Sequence, residues 1–496
     1  MRKVSVLMAF LITGYILGIW NFLILPKYYL NFGLKGFLLM FVPITIAFLL
    51  IYGEIEATKR TRYLAYEYMV KVSRAPAVIF SLLLFLMIVS GVTLYYTSKT
   101  IPAMTNSPAN YVIPVIIILT VIAFALLALA KGRTLEVISA LSIVFIVFTI
   151  VSVFVLRSQI YNFVTSPTAV HYLSVHESAI FSFSKGLTAR GTVLMLISGL
   201  VTFGLGLGVY YVLGSFMPEG VSIKKVLAAV VVLQIILSFA AAIITAYSIG
   251  AAYQSYENAQ QRYVELHKEL GQLYAKMPVI PNTTQMLKLT SEINGVKRAI
   301  NQTRITEDNF KKVEKYASSS RQGPMNSIET FYLIPQILRG GHVKNAGVVI
   351  FLLMISLLLA GFTSFIVMME VGSQISSEVI GLKRTKSLTM IGAVAVIIAL
   401  AMNVFSIRMM LVAVPFAVGG IFAALEAYPV LVGASPVNRK MIAVAFSASI
   451  ALGIAGLYII STAHKLSAKM GVIIGLVLLV PLLLNRVLLK PMRMRK

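Results

Sequence analysis

Runs of apolar residues long enough to cross a bilayer recur along almost the whole chain. A helix spanning the hydrocarbon needs about 20 such residues. Stretches of that length fall at residues 4–25, 36–56, 76–98, 110–130, 135–157, 191–216, 224–249, 346–372, 387–406, 409–432, 441–462 and 470–489. They predict an all-α membrane protein with twelve transmembrane helices. Of the 496 residues, 58% are hydrophobic and only 12% charged, against about 25% charged in a soluble domain. A lipid-facing surface, where charge is costly, accounts for that deficit.

The formal net charge of +26 invites a nucleic-acid reading, which the distribution of charge excludes. The basic residues sit in short clusters between apolar runs, as topology control and anionic lipid require. Lys59, Arg60, Arg62, Lys71 and Arg74 follow the second run, Lys131 and Arg133 the fourth, Lys224 and Lys225 the sixth. Lys383, Arg384 and Lys386 follow the eighth, Arg439 and Lys440 the tenth, and Arg486, Lys490, Arg493, Arg495 and Lys496 form the tail. Every even-numbered exit is basic, as is the start, while Lys27, Lys99 and Arg408 are single charges on the other side. The expected location is therefore the plasma (inner) membrane, multi-pass, with both termini cytoplasmic. The first run reaches Pro26 without a small-residue cleavage site and reads as a retained helix. There is no cysteine, which excludes disulfides, thiolate metal sites and cysteine nucleophiles.

Residues 251–335 are rich in Gln, Glu, Lys and Asn, yet Tyr256, Tyr263, Leu266, Leu270, Leu273 and Met277 recur at helical spacing. Pro278 and Pro281 interrupt the pattern, and Leu289, Ile293, Val296 and Ile300 resume it. The spacing predicts an outward helical hairpin: a docking surface for an extracellular partner, a shield over an outer vestibule, or a solvated insertion. Asn282-Thr283-Thr284 and Asn301-Gln302-Thr303 are glycosylation-type triplets that suit an outside location.

Secondary transporters bind ions where a helix is interrupted near the bilayer midplane and frees its carbonyls. Three spans carry such a signal. The first has Gly14, Gly18 and the mid-span amide of Asn21; the sixth has the alternating glycines Gly204, Gly206 and Gly208; the eighth has Ala360-Gly361-Phe362-Thr363-Ser364. Close helix packing is the plain alternative for the first and sixth spans, and hydroxyl back-bonding for the eighth. Three alternating glycines disfavour a continuous helix by about 1 kcal/mol each. Tyr95-Tyr96 closes span three, as an interfacial anchor or with one phenol turned inward.

Taken in order, these motifs resemble the neurotransmitter:sodium symporter family, including its bacterial leucine-transporter type. The resemblance runs from Gly14 to Pro26, through the second span with Pro43, to Tyr95-Tyr96, Thr202–Gly208 and Ala360–Ser364. It implies a leucine-transporter-like fold with a 5+5 inverted repeat and broken first and sixth helices. By that resemblance, one sodium site uses the carbonyls of Gly14, Leu17 and Ala360 with the hydroxyls of Thr363 and Ser364. A second uses the Ile16 carbonyl, Asn21, Thr202 and Gln234. Trp20, Tyr96, Phe203, Gly204 and Leu207 line the substrate pocket. The chain then divides into 1–157 (first repeat), 158–250 (outer loop and spans six and seven), 251–344 (hairpin), 345–432 (spans eight to ten) and 433–496 (last two spans and tail). Two departures stand out. Ile24 replaces the family's outer-gate arginine, with no matching acid on span ten, and the bulky Trp20 stands where a small residue usually lines the pocket.

Acids at membrane depth are functional candidates. Glu370 and Glu426 read as an ion relay or as structurally paired groups; Glu54 and Glu56 read as interface partners of Lys59 or Arg60. His171, His176 and Glu177 could be imagined as a three-residue metal site, but read as a solvated outward loop. The expectation is a sodium-coupled symporter of a small organic solute, such as an amino acid, with no organic cofactor and no enzyme motif. The alternative is a non-transporting membrane scaffold that keeps the fold.

Overall fold

A computed structural model describes residues 2–130, 133–277, 283–321, 323–343, 345–433, 438–463 and 465–488. Lys131, Pro278, Pro281, Asn282, Lys490, Arg493, Arg495 and Lys496 lie outside the described residues. The described chain is helical throughout, with no strand. The first apolar run is two helices, α1 (Arg2–Ile16) and α2 (Ile19–Phe32), meeting at a 66° bend. Then come α3 (Leu34–Thr61), α4 (Ala65–Lys71), α5 (Pro76–Thr105), α6 (Val112–Ala130), α7 (Thr134–Phe163) and α8 (Pro167–Ile180). The sixth apolar run is again split, into α9 (Ala189–Thr202) and α10 (Val209–Ser215). The chain continues through α11 (Ile223–Lys276), α12 (Thr283–Ser318), α13 (Pro324–Phe331), α14 (Ile334–Gly340), α15 (Ala346–Ile380), α16 (Arg384–Ala401), α17 (Phe405–Val432), α18 (Arg439–Ser461) and α19 (Leu466–Val477).

Among the described residues, ten helices are long and apolar enough to cross a membrane, and the bent α1–α2 pair makes an eleventh. The remaining expected span, 191–216, falls on the interrupted α9–α10 segment, whose helices are each too short to count among these. In the apolar windows of α5, α15 and α17, 78% of residues are buried, against 28% in α18 and 17% at Leu466–Leu488. The first three helices are therefore the centre of the bundle and the last two its lipid-facing flank, where apolar side chains such as Val444, Ile454 and Leu483 point outward.

Two expected boundaries are corrected. The first run does not stop at Pro26: α2 carries that proline internally and runs on to Phe32 with Lys27, Tyr28 and Tyr29 buried. Lys27 is thus a buried cation rather than a loop charge, donating to Ser327 Oγ at 2.7 Å. Nor is the hairpin a separate insertion after span seven. Its first arm is the same 54-residue helix as that span, about 80 Å long at 1.5 Å per residue, far more than the ~30 Å hydrocarbon thickness. Beyond the bilayer length it pairs with α12 through Leu266, Leu273, Leu289, Ile293 and Val296, and Tyr256 stacks on Phe310 at 4.7 Å.

Because this outer zipper is a hydrophobic cluster separate from the bundle core, its loss should be local. Truncating a buried Ile or Leu to Ala costs about 2–5 kcal/mol. Ile293→Ala should therefore open the hairpin to trypsin while leaving the membrane-embedded fragments protected, as read by limited proteolysis of the purified protein.

Candidate functional site

The first break forms where the α1 ladder ends. Gly18 N–H turns back to the Tyr15 carbonyl (3.3 Å), and Asn21 N–H begins a new ladder from the Gly18 carbonyl (3.0 Å). Carbonyls released this way inside an apolar bundle need partners, since each unsatisfied group costs several kcal/mol. Span eight provides them. Thr363 Oγ1 donates between the Gly14 carbonyl (3.4 Å) and its own helix at Leu359 (2.9 Å) and Ala360 (3.0 Å), and Ser364 Oγ donates to the Tyr15 carbonyl at 3.1 Å. The approach depends on Gly18, where an added Cβ would lie 2.2 Å from Ser364 Oγ. Gly14, Ala360, Thr363 and Ser364 are thus brought together, with Leu17 fully buried in the break. The Tyr15 carbonyl, which the sequence did not single out, joins them.

The second break follows Thr202. Gly204, Gly206 and Gly208 all take positive φ (+60°, +86° and +75°), the left-handed region where only glycine is unstrained. The alternating pattern thus serves conformation first, with close approach added at Gly204 and Gly206, where a Cβ would meet Tyr15 and Phe422. The turn is held from outside itself. Tyr15 Oη donates to the Gly204 carbonyl at 3.0 Å and Tyr210 Oη to the Phe203 carbonyl. Glu426 accepts from Gly206 N–H and from Gly208 N–H, the latter at 2.8 Å. Tyr15 belongs to both breaks, through its carbonyl in one and its phenol in the other.

Between the breaks lies a cavity of only about 30 Å³, lined by Trp20, Thr202, Gly204, Leu207 and Ser364, with Phe85, Met368 and Pro415. That is the liquid volume of about one water. The Trp20 indole forms part of its wall, packing edge-on against Tyr96 (6.3 Å) and Phe416 (5.9 Å). Phe203 is buried but engages the site through its carbonyl. The remaining expected groups do not assemble. Thr202 Oγ1 donates back to Gly199 at 2.7 Å. Both amide atoms of Asn21 are buried without a partner among the described residues. Gln234, expected beside Asn21, instead lines a separate cavity of about 210 Å³ with Tyr29, Phe37 and Phe239.

Tyr96 does not present a free phenol to this cavity: Tyr96 Oη donates to Glu329 at 2.8 Å. Glu329, on the short helix α13 beyond the hairpin, also accepts from Lys99 (2.9 Å) on α5 and pairs with Arg408 (3.1 Å) on α17. Arg408 donates to Tyr95 Oη. Tyr332 stacks on Tyr96 and donates to the Tyr96 carbonyl (2.7 Å). Arg339 on α14 binds the carbonyls of Ala103 and Met104. The hairpin end is thus closed over Trp20 by a clamp that sequence reading missed, because its acid comes from a loop helix rather than from span ten. Burial alone would raise the Glu329 carboxyl, but the Lys99 and Arg408 cations, with the bonds from Lys99 and Tyr96, hold it below the usual range.

At the opposite end, a cavity of about 550 Å³ opens between α1, α7, α10 and α15, lined by residues including Leu11, Ile138, Leu213, Val367, Glu370 and Arg384. Glu370 is paired there with Arg384 at 2.8 Å and bonded by Gln374 at 2.7 Å. Glu56 pairs with Arg60 at 2.6 Å, but Glu54 does not join them: it is fully buried facing Glu426, a correction to its expected interface role. Glu177 accepts from Tyr247 (2.9 Å) and His176 packs on Tyr172 (4.2 Å).

No family model matches the chain, and no curated protein matches it. Among solved structures it is similar to the crystal structure of MhsT in complex with L-phenylalanine, with 15% identity and a TM-score of 0.49 over 98% of each chain. At that level the likeness is one of overall outline and assigns no residue here a role.

Two outcomes follow. Gly206→Ala should destabilise the protein by more than the ~1–2 kcal/mol of a left-handed L-residue, because its Cβ would also lie 2.5 Å from Phe422 Cβ; thermal unfolding in detergent measures this. Because the Glu329 carboxyl is depressed, its clamp is fully present above the ordinary carboxylate range and is lost only as pH falls through the lowered value. Closure of the hairpin end should therefore be constant near neutrality and weaken only in acid, as read by labelling a cysteine introduced at Val89 in this cysteine-free chain.

Proposed function

We propose that the chain is a sodium-coupled symporter of a small organic solute, an amino acid or related compound, working by alternating access. One observation carries the reading: the span-eight hydroxyls of Thr363 and Ser364 meet the carbonyls freed at the first break. Those oxygens, with the Ala360 and Leu17 carbonyls, make a donor set for a small hard cation. Sodium entering there would take over the lone pairs now satisfied by hydroxyl protons and pull α1, α2 and α15 into one arrangement. The cavity beside Trp20 shares Ser364 with this set, so solute and ion favour the same conformer, a reciprocal coupling. Asn21, with its unpartnered amide, and the Ile16 carbonyl are the candidates for a second ion; Thr202 and Gln234 would have to rearrange to join them.

In this reading the α9–α10 segment is the sixth of twelve crossings, and spans one to five and six to ten are the two inverted halves. The termini are cytoplasmic in the plasma (inner) membrane. The 550 Å³ cavity is then the inner vestibule, its lining residues Leu11 and Val367 one helical turn from Gly14 and Ser364. The Glu329–Lys99–Arg408 clamp is the closed outer gate, taking the place of the missing pair at Ile24 and span ten. Glu370, paired with Arg384, is a structural group of the vestibule wall.

The small cavity also favours a second reading, a non-transporting scaffold in which Trp20 plugs the site permanently and the outward hairpin docks a partner. Sodium separates the two. At a hundredfold its dissociation constant a ligand stabilises the folded state by about 2.7 kcal/mol. The wild-type protein should show a sodium-specific rise in melting temperature that Thr363→Ala abolishes. An undiminished rise in the variant removes the site assignment, and no rise in the wild type favours the scaffold. For the pocket, Trp20→Ala should admit larger solutes, measured as a shift in substrate range in proteoliposome uptake with an amino-acid panel. For the gate, Glu329→Gln should raise outer labelling of a cysteine at Val89 severalfold.

A further inference from the structure

Two carboxyls face one another in the middle of the bundle. Glu54, on α3, is fully buried, and no donor reaches either of its oxygens among the described residues. The group it faces is the carboxyl of Glu426, on α17, also fully buried. Glu426 is not free to turn away: its two oxygens accept from Gly206 N–H and Gly208 N–H, and its carbonyl accepts from Tyr211 Oη at 2.6 Å. The other ionisable groups acting on the pair are phenols, Tyr15 from α1 and Tyr210 and Tyr211 from α10, with Tyr68 of α4 packed on Tyr211 at 5.7 Å. Among the described residues, neither carboxyl makes an ion pair with a Lys, Arg or His.

Two adjacent carboxylates with no cation cannot both stay charged in such a place, because each buried charge costs several kcal/mol and like charges add to it. A single proton resolves both problems. Carried on a Glu54 oxygen, it removes one charge and supplies the O–H donor that the pair lacks, while Glu426 stays ionised for the glycine N–H groups. We propose that Glu54 and Glu426 form a proton-binding site, and that its proton is exchanged with water as the chain cycles between its two faces. The proton arrives from water, forms an O–H bond on Glu54, and returns to water when that bond breaks. Because Glu426 holds the Gly204–Gly208 turn, and that turn lines the cavity beside Trp20, a change in the pair's protonation alters the bonds that fix the turn. This deepens the transport reading and rests on it for the cycling, though not for the proton itself.

The site is tested on the full chain in lipid vesicles by infrared spectroscopy. The wild type should show the carbonyl stretch of a protonated carboxyl, shifted in deuterated buffer and missing in Glu54→Gln. That amide is close in shape to the carboxyl and can donate to Glu426 in the proton's place, and thermal unfolding confirms that it folds. Absence of the band, or a band of equal strength in both proteins, overturns the site. Exchange is tested by the same band in wild type across a pH series: reversible loss by one proton per chain is expected, and a band that never exchanges deuterium shows a locked structural proton and overturns the coupling. Where sodium drives uptake, a proton flux of either sign should accompany it, reported by a dye inside the vesicle and lost in Glu54→Gln; uptake without flux also overturns the coupling. A sodium-stabilised protein without the band defeats the proton site alone. The band without any sodium response defeats the symport reading alone.

Discussion

Main-chain groups released in the centre of an apolar bundle have to be answered by something other than water, and the interior of this protein is arranged around that requirement. Two spans are broken, and side chains from other helices or from the other break reach the groups freed there. Thr363 and Ser364 answer the first break, Tyr15 and Tyr210 the carbonyls of the second, and Glu426 its N–H groups. Each bond crosses from one helix to another or from one break to the other, so the positions of α1, α9, α10, α15 and α17 are mutually dependent. Whatever competes for one of these groups acts on all of them, and the proposed coupling of ion, solute and proton would rest on that dependence.

The two ends of the bundle are held differently. The hairpin end is closed by charge and aromatic contact: Glu329 between Lys99 and Arg408, with Tyr95, Tyr96 and Tyr332 around them. Lys27 reaches the same short helix through Ser327. The end carrying Leu11 and Glu370 is open as a largely apolar cavity. The closing element α13 follows α12, the second arm of the hairpin, which packs along the 54-residue helix α11.

Much of this was legible in the residues themselves. The apolar runs place the helices, because hydrocarbon thickness fixes how long a crossing must be. The alternating glycines mark the second break, because only glycine takes positive φ without strain. The Thr363-Ser364 pair and the glycines at 14 and 18 mark the two sides of one contact. Gln234 and Tyr96 were misplaced, since family register cannot tell which way a side chain turns once a neighbour such as Glu329 competes for it. Glu54 was read as an interface group because it lies two residues from Glu56, and the two point to opposite sides of the same helix.

By itself, then, the sequence determined where the chain enters the membrane, where its helices must break, and which short polar groups stand ready beside the breaks. These follow from local rules: length against hydrocarbon, backbone conformation, the cost of a bare polar group. Tertiary structure alone decided which partners met. It brought Glu329 to Lys99 and Arg408, Glu54 to Glu426 across more than 370 positions of chain, and the indole of Trp20 into the space between the breaks. Pairings at that separation depend on how helices stack and rotate, and periodicity fixes the face of a helix without naming what will lie against it.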